Sequence, residues 1–117
     1  MTDAPALRAF FGDREHVFRL TVPLVAELER QTGQGIGGFS RRLMGQDFRL
    51  ADLHNTIRLG LIGGGETSPE EAAALVANYG ASVPVLHQFA LAVSVIEILM
   101  MGPAEEIPTV VNLEAAE

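Results

Sequence analysis

The chain reads as a mainly helical α+β protein, with an N-terminal β-hairpin followed by a compact bundle of about five helices. Three observations predict this. Apolar residues recur at helical spacing through most of the 117 residues. One short stretch near the N-terminus alternates apolar and polar residues instead. Glycine, proline and serine stand where helices should stop and start. Residues 1–102 are expected to form one domain, long enough to bury a core without disulfides or metal. Residues 103–117 are acidic, with Ile107, Val110, Val111 and Leu113 scattered among them, and read as a mobile tail.

Residues 7–21 supply the hairpin. Leu7, Phe10 and Phe11 precede Gly12-Asp13-Arg14-Glu15, and Val17, Phe18 and Leu20 follow. Phe18, Leu20 and Val22 alternate with Arg19 and Thr21, which gives a strand one apolar face. A lone hairpin is marginal in water, so it must pack on helices or pair with a second chain. Pro23 opens the first helix, striped by Leu24, Val25 and Leu28 and stopped by Gly33. The second carries Ile36, Phe39 and Leu43 on one face, turns Arg41 and Arg42 outward, and closes at Gly45.

The third helix runs from about Leu50 to Ile62, with Asp47 or Asp52 supplying negative charge near its start. Leu53, Ile57, Gly60 and Leu61 recur at helical spacing, and Gly63-Gly64-Gly65 is expected to end it. Ser68 then sits where an N-cap belongs, Pro69 at the first helical position and Glu71 three residues after the cap. This is a capping box with its acids at the positive end of the helix dipole. The fourth helix shows Ala72, Leu75, Val76 and Tyr79 at i, i+3, i+4 and i+7, and Gly80 ends it.

The fifth helix, from near Val83-Pro84 to about Met101, is apolar apart from Pro84, His87, Gln88, Ser94 and Glu97. Its length would permit a membrane span, but Glu97, His87, Gln88 and the lack of flanking Lys or Arg argue against one. A helix apolar nearly all round is central to a core or partly covered by another chain. A core helix is expected, with an extra apolar face left for a partner. Leu99-Met100-Met101 suits such a face, because methionine adapts to irregular surfaces.

Composition removes several function classes. Cysteine is absent, so there is no thiol nucleophile and no zinc-thiolate site. No basic n-region leads into an apolar run at the N-terminus, and a cytoplasmic location is the default expectation. All eight basic residues are arginines, the last being Arg58, and residues 59–117 hold eight glutamates and no basic residue. An acidic half repels phosphate backbones, so nucleic acid is not an expected partner.

The motifs that resemble catalytic or cofactor chemistry fail on context. Gly33-Gln34-Gly35-Ile36-Gly37-Gly38 matches G-x-G-x-x-G in letters, but a charged helix precedes it and no βαβ unit surrounds it. The Gly63–Gly65 run lacks the Lys-Ser/Thr pair of a phosphate loop. His16, His54 and His87 are isolated, with no i, i+4 ligand pair. Ser40, Ser68, Ser82 and Ser94 lack a nucleophile-elbow setting. Glu97 is the one acid within an apolar helix, explained by a surface gap or an arginine partner. No catalytic residue, metal ligand or cofactor site is assigned, and the chain is not expected to be an enzyme. A helix-turn-helix over residues 23–62 would use Arg41, Arg42, Arg49 and Arg58 on phosphates. Its recognition helix, Leu50 to Arg58, is poor in base-reading groups.

Taken in order, the residues resemble the small tail-assembly proteins of gene transfer agents and related siphophage-like tails. The resemblance rests on Phe18-Arg19-Leu20-Thr21, Glu27-Leu28-Glu29 with Thr32-Gly33, and Arg41-Arg42-Leu43. It continues through Asp52 to Gly65 without a break, then Glu70-Glu71-Ala72 with Leu75-Val76, then Pro84, Ala90 and the apolar helix ending at Gly102. It covers about residues 10–102. The same family is also catalogued under the label of tail tube protein.

The resemblance implies a tail assembly chaperone, which binds the apolar tape-measure protein and helps recruit tail tube protein. Family analogy and the hairpin also suggest a homo-oligomer. The alternative is a structural component of the phage-like tail, and a small DNA-binding regulator is a remote third. Surplus hydrophobicity places the client groove on the fifth helix and the glycine-flanked end of the third. Leu61, Phe89, Val93, Ile96 and Met100 are its expected contact residues.

Overall fold

A computed structural model of the chain describes residues 4–103. Its elements run β1 (Ala6–Phe11), β2 (Arg14–Arg19), α1 (Val22–Thr32), α2 (Ile36–Met44), α3 (Leu50–Gly64), α4 (Pro69–Tyr79) and α5 (Val85–Met101). The expected hairpin and five helices are all present. The acidic stretch beyond Pro103, read above as a tail, lies outside the described residues.

The hairpin closes on Gly12-Asp13, with Phe11 opposite Arg14, Ala9 opposite His16 and Leu7 opposite Phe18. Its inward side chains include Phe11, His16 and Phe18, all buried. The Tyr79 ring stands edge-on to Phe11 with centroids 6.2 Å apart, so the end of α4 covers the turn. The packing that a lone hairpin needs therefore comes from helices, and α3 supplies most of it.

α3 is the central element and touches β2, α1, α4 and α5. It is two residues longer than its sequence suggests. Gly63 and Gly64 lie inside the helix, and only Gly65 takes the left-handed C′ conformation, at φ 85°. The first two glycines serve close approach. A Cβ on Gly63 would stand 1.8 Å from the carbonyl oxygen of Arg19, and one on Gly64 1.8 Å from that of Val17. Gly60 meets the Phe18 ring in the same way, at 3.2 Å. α3 thus presents a groove without side chains, and β2 lies in it.

The start of α3 is fixed by Asp52, whose side chain is 1% exposed. Its Oδ2 accepts from the backbone N–H of Arg49 at 2.8 Å and from Nη1 of Arg42 at 2.9 Å. Its Oδ1 accepts from Nη2 of Arg49 at 3.1 Å. Burial pushes this carboxyl up, but the bonds from Arg42 and Arg49 outweigh burial and hold it below its ordinary 3.8. Because the folded value is depressed, the stability it contributes is complete above the unfolded value and is lost as pH falls through the folded one. Asp52→Ala should cost about 2 kcal/mol at neutral pH, since Arg42 loses its buried carboxylate partner and the Arg49 N–H at the start of α3 loses its acceptor. Urea unfolding at pH 7 and pH 3 checks this: the loss should be large at pH 7 and smaller at pH 3.

The capping box of α4 forms as its sequence predicts. The Glu71 N–H donates to Ser68 Oγ at 3.1 Å, and the Ser68 N–H donates to Glu71 Oε1 at 3.0 Å. Gln88, one turn into α5, is 1% exposed. Its Nε2 donates to the carbonyls of Val83 at 2.8 Å and Gly80 at 3.1 Å, tying α5 to the loop before it.

Candidate partner-binding surface

α5 spans about 25 Å at the usual helical rise. Gln88, Leu91, Ala92, Val95 and Ile96 point into the core. The opposite side carries Leu86 at 69% exposure, Met100 at 49% and Met101 at 55%, with Ala90 also exposed and Phe89 and Val93 half-buried. At 100° per residue, Leu86, Phe89, Ala90, Val93, Glu97, Met100 and Met101 fall on one outward stripe. Glu97 is its only charge and is exposed, so it fills no core position.

The stripe is extended sideways by the loop between α2 and α3. Phe48 stacks on Phe89, with ring centroids 5.0 Å apart and planes 20° from parallel. Close to Phe48 in the chain, Met44 is 40% and Leu50 46% exposed. Clustered apolar exposure of this kind marks an interaction surface more often than scattered single residues do.

The five expected contact residues therefore separate. Phe89, Val93 and Met100 share the outward side of α5. Leu61 and Ile96 are 0% exposed and fill the core. The reason is rotational: Ile96 lies on the side of α5 occupied by Val95 and Ala92. Leu61 belongs to the same buried cluster. Sequence reasoning missed Phe48 and Leu86. Leu86 was accessible to it, because it lies seven residues before Val93 on the same stripe. Phe48 was not, because a loop residue shows no periodicity.

Other chemistry-bearing residues stay apart or are engaged internally. His16 is buried, and its Nε2 shares a 3.1 Å hydrogen bond with Asp13. His54 packs beside Gly80, and His87 is exposed. Among the described residues no cluster of three or more His, Asp or Glu could hold a metal. Two open clefts of about 240 Å³ flank the hairpin turn, one lined by Phe10, Val83, Pro84 and His87, the other by Asp13, Arg14, Thr67 and Glu71. Thr67 Oγ1 is buried without a hydrogen-bond partner, so no neighbouring base activates it.

Three of the four arginines that would serve a helix-turn-helix are held within the fold. Arg42 bonds Asp52, Gln34 and the Asp47 carbonyl. Arg49 bonds Asp52 and the Thr32 carbonyl, and Arg58 bonds Gln31. Among the described residues no helix is long and apolar enough to cross a membrane.

Residues 4–102 match the family described as phage tail tube protein, GTA-gp10. No curated protein and no solved structure shows a significant match to the chain.

Proposed function

Since the chain belongs to the gene-transfer-agent family of phage tail tube proteins, we propose that it works in tail morphogenesis by binding other tail proteins, without catalysis. The observation that carries this reading is the outward stripe of α5, an apolar surface with one charge along its whole length. Apolar helical stripes of this form take up the apolar face of another helix.

Within that role we favour an assembly chaperone whose client is the apolar tape-measure protein. The fold supports this form. Tube subunits that close into rings by strand pairing are dominated by sheet, whereas this sheet has two strands of six residues. The acidic second half would resist aggregation while the stripe shields a hydrophobic client. The second form is a subunit retained in the finished tail, and the family's description supports it more directly than it supports a chaperone.

Mass spectrometry of purified particles separates the two. A chaperone leaves before completion and should be absent from particles while present in the producing cells. A stoichiometric presence would overturn the chaperone form and establish the structural one. The surface itself is tested by Leu86→Asp and Met100→Asp. Both positions are exposed, so the melting midpoint should stay within a few degrees of wild type. Affinity for the tail partner should fall by about tenfold or more, as when an apolar anchor of an interface is lost.

A further inference from the structure

The two edges of the hairpin are not equivalent. The carbonyls of Val17 and Arg19 point at Gly64 and Gly63, so the outer edge of β2 is closed by α3. Those carbonyls also fix the hydrogen-bond parity of the sheet. Val17 and Arg19 turn away from β1, so their partners Arg8 and Ala6 form non-hydrogen-bonded pairs, as does Phe10 with Glu15. The backbone N–H and C=O groups of Ala6, Arg8 and Phe10 therefore point outward from β1. Among the described residues no strand pairs with them.

This open edge has little of the usual protection, its one charged side chain being Arg8, which lies 3.7 Å from Glu66. Within Ala6–Phe11 there is no proline, no lysine and no bulge, and Phe10 is 64% exposed. One closed edge and one open edge on each chain is an arrangement that a single two-fold contact satisfies completely.

We propose that a second copy of this chain pairs with β1 through this edge, antiparallel, joining two hairpins into one four-stranded sheet about a two-fold axis at Ala9. Charge and paired length together select that register, since an axis at Phe10 would pair only Ala9–Phe11 of the strand. An axis at Arg8 would set two guanidinium groups directly opposite each other, and an axis at Leu7 would leave both Phe10 rings beyond the paired segment. An axis at Ala9 places Arg8 opposite Phe10 of the other copy, twice, so each exposed ring meets a cation. Arg8 and Phe10 then form reciprocal hydrogen-bonded pairs, and the two Ala9 residues form the central non-hydrogen-bonded pair.

The absence of cysteine from the chain makes the test clean. In a non-hydrogen-bonded pair the two Cα atoms stand about 4.5 Å apart, within disulfide range. Full-length Ala9→Cys should therefore oxidise to a cross-linked dimer, while Ser82→Cys, exposed in the loop after α4, should not. Wild type should be dimeric by light scattering. Phe10→Lys puts a cation opposite Arg8 and should weaken the dimer by about tenfold or more while helical circular dichroism is unchanged.

A wild-type chain that is monomeric up to millimolar concentration overturns the proposal. So does a dimer that survives Phe10→Lys and leaves Ala9→Cys uncross-linked. Removal of residues 104–117 that turns a monomer into a dimer would assign the edge to the chain's own C-terminal segment, and would equally overturn pairing with a second copy.

Discussion

Gly64→Ala should be among the most damaging single-methyl changes in this chain, and Gly63→Ala should match it. Each methyl would stand 1.8 Å from a backbone carbonyl oxygen, of Val17 and Arg19 respectively. A flexible side chain could swing aside, but a strand carbonyl moves only if β2 leaves α3. Overpacking a well-fitted site commonly costs about 1–3 kcal/mol, and these sites lie at or above the upper end because backbone meets backbone. That is a large part of the roughly 5–15 kcal/mol that holds a small domain together.

Gly65 provides the internal control. It is adjacent in sequence but has open space around it, so Gly65→Ala meets only the left-handed backbone penalty of about 1–2 kcal/mol. Urea denaturation of the three variants should therefore rank Gly63→Ala and Gly64→Ala well below Gly65→Ala. Equal, small losses at all three would mean that β2 does not lie in the α3 groove.

Ile96→Asp should unfold the protein at neutral pH, whereas Met100→Asp, four residues later, should leave it folded. Ile96 is 0% exposed among Leu91, Ala92 and Val95, and Met100 is 49% exposed. A carboxylate at position 96 loses its hydration without gaining a partner, and the lost side chain alone is worth about 2–5 kcal/mol in a core. At position 100 the same carboxylate keeps its water. Thermal melts followed by circular dichroism should show no cooperative transition for Ile96→Asp and a near-wild-type midpoint for Met100→Asp. The contrast also governs binding assays: a variant at position 96 reports on folding, and only those on the outward stripe report on a partner.

Much of the fold was legible because its signals are local. Ser68, Pro69 and Glu71 sit within four residues and act on one helix turn, so the α4 cap could be read directly. Gly33 and Gly80 stop their helices where apolar spacing lapses, and alternation around Phe18 marks β2. The misreadings are non-local. Gly63 and Gly64 look like a helix terminator because glycine usually is one; their role depends on Val17 and Arg19, more than forty residues earlier. Asp52 reads as dipole charge at a helix start, yet its partner Arg42 lies ten residues back on α2.

The outward stripe of α5 was legible in part for a related reason. α5 is apolar almost all round, so periodicity cannot select which side faces inward, and both Ile96 and Val93 satisfy the same pattern. The side was set by what α3 and the hairpin cover. Phe89, Val93 and Met100 fall outside that cover, and Phe48 arrives on the stripe from a loop.

We propose that the outward stripe of α5 is where another tail protein binds. Co-expression of wild type, Leu86→Asp and Met100→Asp with the tape-measure protein of the same element tests this. Capture and light scattering then read the complex. Wild type should give a soluble complex, the client expressed alone should aggregate, and either folded variant should capture little or none of it. Equal capture by all three, or none by wild type, would contradict the proposal.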